Sequence, residues 1–312
     1  MAVDLNGLKL LLWAKNLGVS FERTLTLGHQ GFGCSPRQFR AALRAFGIAA
    51  GEKQIDLCYH RAPMGPLFAD ELFRFLGAKE VVSVDYSDFE DATFLHDLNE
   101  PFPPDHQGRY SFVFDGGTLE HVFNYPAALR HCLEAIRAKG HFLSIAPAHN
   151  QMGHGFYQIS PELFFRVFSA ENGFALRRIV LYDAAQEDAE FFHVNDPATT
   201  GQRSELLSAQ PMFLAALAQR IALTPVLAKT PQQSDYMAGW TEHGKKTESS
   251  APAFDGFLGR LRTRLNPYWP YWLRRWKQKL IFSFQHRRPT LNNRLHFRKL
   301  SRTEICQDRG DS

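Results

Sequence analysis

The sequence predicts an α/β protein with a doubly wound sheet and helices on both faces. Apolar runs of strand length alternate with amphipathic segments of helix length. Several helical segments begin with a cap residue followed by proline, and several apolar runs end in glycine-rich or acidic turns. Strands that alternate with helices form a parallel sheet, which binds ligands beyond the carboxyl ends of its strands.

The predicted elements follow one another without an internal repeat. Helices are expected at residues 5–17, "SPRQFRAALRAFG", "PLFADELFRFLGA", "YPAALRHCLEAIRAKG" and "SPELFFRVFSAENG". Strands are expected in "RTLTLGHQGFG", "EVVSVDYS", "ATFLHDL", "YSFVFDGGTLEH", "HFLSIAPAHN", "FALRRIVLYDA" and "RIALTPVLAKT". Ser35 and Ser160 are the clearest helix caps, because each precedes a proline at the first helical position.

Composition is that of a globular protein. The 312 residues are 44% hydrophobic and 22% charged, enough chain to bury a sizeable core. No apolar run has the length of a membrane-spanning helix, and the N-terminal segment lacks the cleavage signature of a signal peptide. The four cysteines are scattered and form no CxxC pair, so reduced thiols and a cytoplasmic location are expected.

Charge is distributed unevenly along the chain. Residues 256–312 contain 14 Lys and Arg against 3 Asp and Glu, whereas residues 1–255 contain 22 basic and 29 acidic residues. We therefore expect a sheet domain at residues 1–232, a polar linker at 233–255 and a basic tail at 256–312.

The basic tail interleaves Trp269, Trp272 and Trp276 with arginine and lysine. Such a segment suits peripheral contact with the inner face of a membrane, where aromatic rings lie at headgroup depth. It also suits, less well, the phosphates and bases of a nucleic acid. A helix packed on the sheet domain is the third alternative, and the sequence leaves all three open.

An acidic residue ends the apolar run "EVVSVDYS". A carboxylate at the end of the second strand, here Asp85, can accept hydrogen bonds from both hydroxyls of a ribose. This geometry serves both NAD and S-adenosylmethionine, so Asp85 alone indicates an adenosine-like ligand. The alternative is an aspartate that only caps its own turn.

Downstream segments are more informative. The segments "HDLNEPFP", "GTLEHVFN" and "AKGHFLSIAPAHN" follow one another at a spacing similar to that of class I S-adenosylmethionine-dependent methyltransferases, and "GHGFYQISPELFF" resembles a later helix of that family. The resemblance covers roughly residues 20–230. It implies a Rossmann-like seven-stranded sheet, S-adenosylmethionine as the cofactor and methyl transfer as the reaction.

The resemblance also implies positions for the cofactor. Asp85 would hold the ribose hydroxyls, Asp97 would meet the adenine amine, and Leu98 would lie beside the adenine ring. The turn beneath the methionine part would be lined by Asp115, Gly116 and Gly117. The alternatives are an Asx-turn at Asp97 and a tight strand-to-helix turn at the other three positions.

The first glycine motif departs from the family pattern, which is an acid followed by G-x-G-x-G. Here "LTLGHQGFGCS" has Gly28, Gly31 and Gly33 at another spacing, with no preceding acid. Gln30 would replace the missing carboxylate as a neutral and weaker acceptor. The chain from this turn to Asp85 is also longer than a simple crossover needs. Either the cofactor loop is remodelled, or the protein is a non-catalytic scaffold that no longer binds the cofactor well.

The loop after the fifth strand contains the candidates for catalysis. An alcohol acceptor needs a base to remove its proton, and His149 or His154 is predicted for that role. The residues expected to contact the acceptor are His121, Asn150, Tyr157 and Gln158. The acceptor itself is expected to be a small molecule, a sugar or a lipid-linked glycan.

Other chemistries fit the sequence less well. No metal site is predicted, since His141, His149 and His154 have neither HExxH spacing nor cysteine partners. The sequence lacks the G-x-S-x-G elbow of a serine hydrolase, and the gap from Gly33 to Asp85 is too long for a nicotinamide fingerprint. The sequence favours an S-adenosylmethionine-dependent O-methyltransferase, with an inactive binding or scaffold protein as the alternative.

Overall fold

The computed structural model describes residues 2–59, 67–237, 240 and 290–310. Within these residues the chain forms a nine-stranded sheet and a separate two-stranded sheet. In chain order the strands are β1 (Ala2–Val3), β2 (Arg23–Leu27), β3 (Gly31–Phe32), β4 (Glu80–Asp85), β5 (Phe94–Leu95), β6 (Tyr110–Asp115), β7 (Ile136–His149), β8 (Phe174–Asp183), β9 (Phe192–Val194), β10 (Met212–Arg220) and β11 (Phe297–Lys299). The predicted α/β class is confirmed, although the main sheet has nine strands rather than seven.

Helices cover both faces of this sheet. They are α1 (Leu5–Asn16), α2 (Pro36–Ala45), α3 (Glu52–Leu57), α4 (Asp70–Phe75), α5 (Tyr125–Glu134), α6 (Pro161–Val167), α7 (Pro197–Thr200) and α8 (Arg302–Gln307). Phe112 and Phe114 of β6 pack in one core with α1, α2 and α4, whereas Val113 packs in the other with α5 and α6. All six residues of β6 are buried, as expected for a strand covered on both faces.

The strand order of the main sheet identifies its ligand-binding edge. The order is β5-β4-β2-β6-β7-β10-β8-β9-β11. The first five strands are parallel, and the others are joined by antiparallel pairing. The chain builds outward from β2 through β4 to β5 and then returns to add β6 and β7 on the other side. The direction of growth reverses between β2 and β6, so their carboxyl ends form the expected site.

The long connection between β2 and β4 contains an added layer. The chain leaves the main sheet after Gln30, pairs β3 with β1, and returns at Ala69, whose N–H donates to the Gln30 carbonyl at 2.8 Å. Helix α2 lies in this excursion and begins with the predicted cap, since Ser35 and Gln38 form a reciprocal capping box. The crossover helix α4 therefore starts beside the β2 turn, and the described part of the extra chain, with β3, α2 and α3, forms the inserted layer.

Two predicted boundaries were wrong. The helix expected to close at Gly140 ends at Glu134, and β7 already begins at Ile136. Gly140 lies within β7, where a side chain would come within 2.7 Å of the Ile136 side chain, so glycine permits a close approach inside the strand. The strand expected in "RIALTPVLAKT" instead runs from Met212 to Arg220, between β7 and β8.

The end of the predicted tail belongs to the sheet domain. Strand β11 pairs with β9, and α8 lies against α1. Asp308 anchors this segment by accepting hydrogen bonds from Trp13 Nε1 at 2.9 Å and from Arg178 Nε at 2.7 Å. The boundary predicted at residue 256 therefore does not separate the end of the chain from the sheet.

The aromatic residues of the tail, Trp269, Trp272 and Trp276, lie outside the described residues. Their contact with a membrane or a nucleic acid stays a prediction. In the described part of the chain, no helix has the length and apolar character needed to cross a membrane.

Replacing Asp308 tests the anchor of the C-terminal segment. Burial acts to raise the pKa of Asp308, but hydrogen bonds from Arg178, Gly310 and Trp13 outweigh it and hold the pKa below its ordinary value. Asp308→Ala should lower the free energy of unfolding by about 1.5–3 kcal/mol at neutral pH, since hydrogen bonds to charged groups contribute this much. The pKa of Asp308 is lower in the folded than in the unfolded protein. Its stabilising contribution is therefore complete above the pKa of the unfolded state and is lost as the pH falls through the pKa of the folded state. Urea denaturation should therefore show the difference from wild type shrinking below about pH 4.

Gln307→Ala is the matched control, because Gln307 is the exposed residue directly before Asp308, at the end of α8. This variant should unfold like the wild type at every pH. A deficit in Asp308→Ala that is the same at neutral and acidic pH would contradict the ionic character of the anchor.

Candidate functional site

The turns after β2, β4 and β6 meet at the edge where the strand order reverses. Gly28 has a φ of +73°, which favours glycine, and its N–H donates to the Val84 carbonyl at 2.7 Å. A side chain at Gly28 would lie 3.2 Å from Thr118 Oγ1 and 3.8 Å from Asp85 Oδ2. The other oxygen of Asp85 accepts the Tyr86 N–H at 2.7 Å. The structure thus brings Gly28 and Asp85 together, and it adds Thr118 to them.

Gln30 fills the space between the β2 turn and the β6 turn. Its side chain is 2% exposed, and its Nε2 donates to the Leu27 carbonyl. Gln30 Oε1 is buried, has no hydrogen-bond partner in the described part of the chain, and lies 2.5 Å from where a side chain of Gly116 would begin. Gly117 follows with a φ of +97°. A buried amide oxygen without a donor is an acceptor that an N–H group of a ligand can satisfy.

The other two glycines of the motif lie away from this turn. Gly31 belongs to β3, which pairs with β1, and the Gly33 N–H donates to the Val3 carbonyl at 2.9 Å. Both therefore belong to the inserted layer. This placement explains why their spacing differs from a glycine-rich cofactor loop.

His29 belongs to the same turn and was not predicted as a site residue. Its Nε2 lies 2.7 Å from Asp70 Oδ2 at the start of α4, and its ring stacks on Phe68 with 3.6 Å between centroids. Burial acts to lower the pKa of His29, but hydrogen bonds with Asp70 and the Glu90 carbonyl outweigh it and raise the pKa. His29 therefore fastens α4 to the β2 turn.

Asp97 holds its own turn. Its Oδ1 accepts hydrogen bonds from the Asn99 backbone N–H at 2.9 Å and from Asn99 Nδ2 at 2.7 Å. These bonds lower the pKa of Asp97. The geometry is that of the Asx-turn given above as the alternative. Leu98 is 6% exposed and packs in the core beneath α5 and α6.

Asp115 is completely buried and organises the turn after β6. Its Oδ1 accepts the N–H groups of Thr118 at 2.9 Å and Leu119 at 3.3 Å, and its Oδ2 accepts the Ser144 hydroxyl at 2.7 Å. Burial raises the pKa of Asp115, and these hydrogen bonds oppose the rise. Asp115 was predicted to line the ligand, but its oxygens are directed to the protein, so it positions the turn.

Glu120, His121 and His154 form a cluster beyond the carboxyl end of β6. The Oε1 atom of the fully buried Glu120 lies 3.5 Å from His154 Nε2 and 3.9 Å from His121 Nε2. Neither oxygen of Glu120 has a hydrogen-bond partner among the described residues. Burial, reinforced by the charge of Asp115, raises the pKa of Glu120 to about 8, and burial lowers the pKa of His121. A perturbed acid beside the ligand edge is typical of a functional site.

The loop after β7 closes over this cluster. The N–H groups of Phe156 and Tyr157 donate to the Glu120 carbonyl at 2.9 and 3.3 Å. Gly155 has a φ of +121°, and a side chain there would lie 3.1 Å from His121 Nδ1. The glycine therefore lets the backbone pass close to the His121 ring and brings the loop histidine opposite the carboxylate.

The other catalytic candidate, His149, lies outside the cluster's contacts. Its Nε2 accepts the Ser208 N–H at 3.2 Å. The neighbouring Asn150 has a φ of +53°, and its Nδ2 donates to the Ala209 carbonyl at 2.7 Å. Both side chains thus bind the segment before β10, which leaves His154 as the predicted base that contacts Glu120.

Two further residues predicted to contact the acceptor stabilise the loop itself. The Tyr157 hydroxyl donates to the Phe123 carbonyl at 2.6 Å, and Gln158 Oε1 accepts the Gln151 N–H at 2.9 Å. The Tyr157 hydroxyl and the Gln158 side-chain oxygen are therefore engaged within the protein.

Three exposed apolar side chains, those of Phe123, Met152 and Phe156, belong to the segments that carry the cluster, and we call them the apolar rim. These side chains are 74%, 93% and 66% exposed. The rings of Phe123 and Phe156 meet edge to face with 5.9 Å between centroids. Exposed apolar side chains that lie next to a polar cluster indicate a binding surface.

Sequence reasoning missed Glu120, Thr118 and His29. Glu120 lies within the quoted segment "GTLEHVFN", and His29 lies within the glycine-rich turn, so both were in view. Their roles depend on burial and on contacts between distant turns, which residue spacing does not reveal.

No family model and no curated protein matches the sequence. Among solved structures, a protein from Bacillus halodurans described as a methyltransferase is 9% identical, with a TM-score of 0.38 over 70% of this chain and 99% of its own. An S-adenosylmethionine-dependent methyltransferase from Mesorhizobium loti is 15% identical, with a TM-score of 0.35 over 69% of this chain and 100% of its own. The branched-chain polyamine synthase from Thermus thermophilus is 15% identical, with a TM-score of 0.33 over 73% and 61%. Similarity at this level does not assign a reaction to the chain.

Adding a methyl group at Gly116 tests the contact between the β2 and β6 turns. The new Cβ would lie 2.5 Å from Gln30 Oε1 and 2.9 Å from a Phe114 ring carbon. Gly116→Ala should therefore lower the free energy of unfolding by about 1–3 kcal/mol, the usual effect of overpacking. Urea denaturation measures the loss, and adding Gln30→Ala should recover part of it.

Gly153→Ala is the control, because a side chain at Gly153 would meet no atom within 4 Å. It should unfold at the same urea concentration as the wild type. Equal stability of Gly116→Ala and wild type would contradict the close packing of Gln30 on the β6 turn.

Proposed function

We propose that the protein is an S-adenosylmethionine-dependent methyltransferase. The observation that carries the proposal is the convergence of Gly28, Asp85 and Gln30 where the strand order reverses, with Gln30 Oε1 lacking a partner among the described residues. The cofactor needs a carboxylate for its ribose, close backbone approach and an acceptor for its ammonium group, and these residue types supply all three. The segments "GTLEHVFN" and "AKGHFLSIAPAHN" support the same family by resemblance.

Each residue of the edge would contact a different part of the cofactor. Asp85 Oδ2 would accept the ribose hydroxyls, and Gln30 Oε1 would accept an N–H of the methionine ammonium. Asp97 and Leu98 would lie at the adenine. The cofactor, when bound, supplies a methyl group on a sulfonium, and the protein aligns that group with an acceptor. A neutral amide binds an ammonium less strongly than a carboxylate does, so affinity is expected to be modest.

The acceptor would approach at the Glu120–His121–His154 cluster. An alcohol loses its proton as it attacks the methyl carbon, and His154 Nε2 is the proposed proton acceptor. Glu120 Oε1, 3.5 Å away, would be the nearest acceptor for the proton that His154 then carries. The apolar rim of Phe123, Met152 and Phe156 favours an acceptor with an apolar portion, such as a lipid-linked glycan, over a free sugar.

A methyltransferase-like scaffold without cofactor binding is the second candidate. Two observations favour it: Gly31 and Gly33 belong to the inserted layer, and the Gln30 side chain packs on Gly116 under the edge. In a scaffold, the apolar rim would serve a partner rather than an acceptor.

Binding of the cofactor decides between the two candidates. Asp85→Ala should weaken binding of S-adenosylmethionine by about 10- to 100-fold, since hydrogen bonds to a charged group contribute about 1.5–3 kcal/mol. Isothermal titration calorimetry of the purified protein with S-adenosylmethionine or its demethylated product measures the dissociation constant.

Asp88→Ala is the matched control, because Asp88 is an exposed acid three residues further along the same turn. Its dissociation constant should equal that of the wild type. Equal affinity of Asp85→Ala and wild type would refute the assigned cofactor site, whereas no binding by the wild type would favour the scaffold.

A further inference from the structure

Glu120 presents a physical problem that the proposed methyl transfer does not solve. Its side chain has no exposed surface, and both of its oxygens lack hydrogen-bond partners within the described ranges. A buried carboxylate without a hydrogen bond or a cation is strongly destabilising. Native proteins neutralise such a group with a proton or place a cation beside it.

The neighbours of Glu120 supply ring nitrogens that can bind a cation. The ligand atoms of Glu120, His121 and His154 lie within 4.8 Å of one another. His154 Nε2 is itself buried without a hydrogen-bond partner in the part of the chain that is described, and it is 3.5 Å from Glu120 Oε1. The ring nitrogens of His121 and His154 and the Glu120 carboxylate thus form a set of three electron-pair donors that lie close together.

We propose that Glu120, His121 and His154 bind one divalent transition-metal ion of the zinc type. Two imidazoles and one carboxylate form a donor set that suits zinc, cobalt or ferrous iron, whereas magnesium and calcium prefer oxygen ligands. Three protein ligands leave at least one coordination position open. The site goes beyond the proposed methyl transfer and does not depend on it.

The distances within the cluster are close to those that such an ion requires. Zinc bonds of about 2.0–2.2 Å in a tetrahedron place ligand atoms about 3.3–3.6 Å apart. The separations from Glu120 Oε1 are 3.5 Å to His154 Nε2 and 3.9 Å to His121 Nε2. The His121 side chain is half-exposed, so its open side would admit the ion, and bound metal would draw its ring nitrogen closer to Glu120.

The surroundings hold the three ligands in place. Asp115 fixes the turn that carries Glu120 and His121, through its bond to the Leu119 N–H. The loop that carries His154 is bound to the Glu120 carbonyl by two N–H groups. The His154 ring meets the Phe213 ring edge to face at 5.9 Å between centroids. Supporting contacts of this kind orient metal ligands in known sites.

An ion at this position would change the role of His154. His154 would be a ligand and not a free base, and a hydroxyl bound at the open position would lose its proton more readily, as metal-bound water does. This consequence rests on the proposed methyl transfer, whereas the metal site itself does not.

Cobalt is the probe for the test, because Co²⁺ replaces Zn²⁺ in such sites and its visible absorption reports coordination. The full chain, treated with a chelator and dialysed, is titrated with Co²⁺ by absorbance and with Zn²⁺ by calorimetry. We expect one ion per chain. Glu120→Gln and His154→Gln should each weaken binding by about 10- to 100-fold or more, because even supporting residues have effects of that size.

His149→Gln is the matched control, because it removes a nearby histidine, at the end of β7, whose ring binds Ser208 instead. It should bind the ion like the wild type, as should Asp85→Ala, so failure of the metal site is distinguishable from failure of the cofactor site. Circular dichroism checks that each variant is folded. The proposal is overturned if the wild type binds no ion, or if Glu120→Gln and His154→Gln bind it as tightly as His149→Gln does.

Discussion

The geometry of the candidate site depends on one buried carboxylate, that of Asp115. Placed at the end of a strand buried on both faces, it accepts two backbone N–H groups of its own turn and the hydroxyl of Ser144 from β7. Those bonds compensate for burial of the acid and fix the turn. The fixed turn directs Thr118 towards Gly28 and sends Glu120 into the interior.

The two buried acids of this turn differ in their compensation. Asp115 is satisfied by three hydrogen bonds, whereas Glu120, with the charge of Asp115 nearby, has none among the described residues. A satisfied buried acid stabilises a structure, and an unsatisfied one indicates a group that acts on something else. The contrast indicates that Asp115 positions the turn, whereas Glu120, five residues further along the chain, is a candidate metal ligand.

The half of the site around the β2 turn is organised by a neutral buried side chain, that of Gln30, rather than by a buried acid. The inserted layer removes Gly31 and Gly33 from the β2 turn, and Gln30 occupies the space between the turns that Gly28 and Gly116 leave open. Because its Nε2 is bound to Leu27, its Oε1 has a fixed direction and no donor in the described structure. Beneath the edge there is thus a preformed acceptor, held between the β2 turn and Gly116.

Local patterns in the sequence determined the class of fold and the helix caps at Ser35 and Ser160. They also determined that Gly28 and Asp85 lie on one edge of the sheet. These features could be predicted because capping and strand alternation depend on neighbours in the chain. Tertiary structure alone decided the nine-stranded sheet, the return of β11 to it, and the inward direction of Asp115. It also decided that His154, and not His149, contacts Glu120. Burial and contacts between distant segments set these outcomes, and residue spacing carries no record of either.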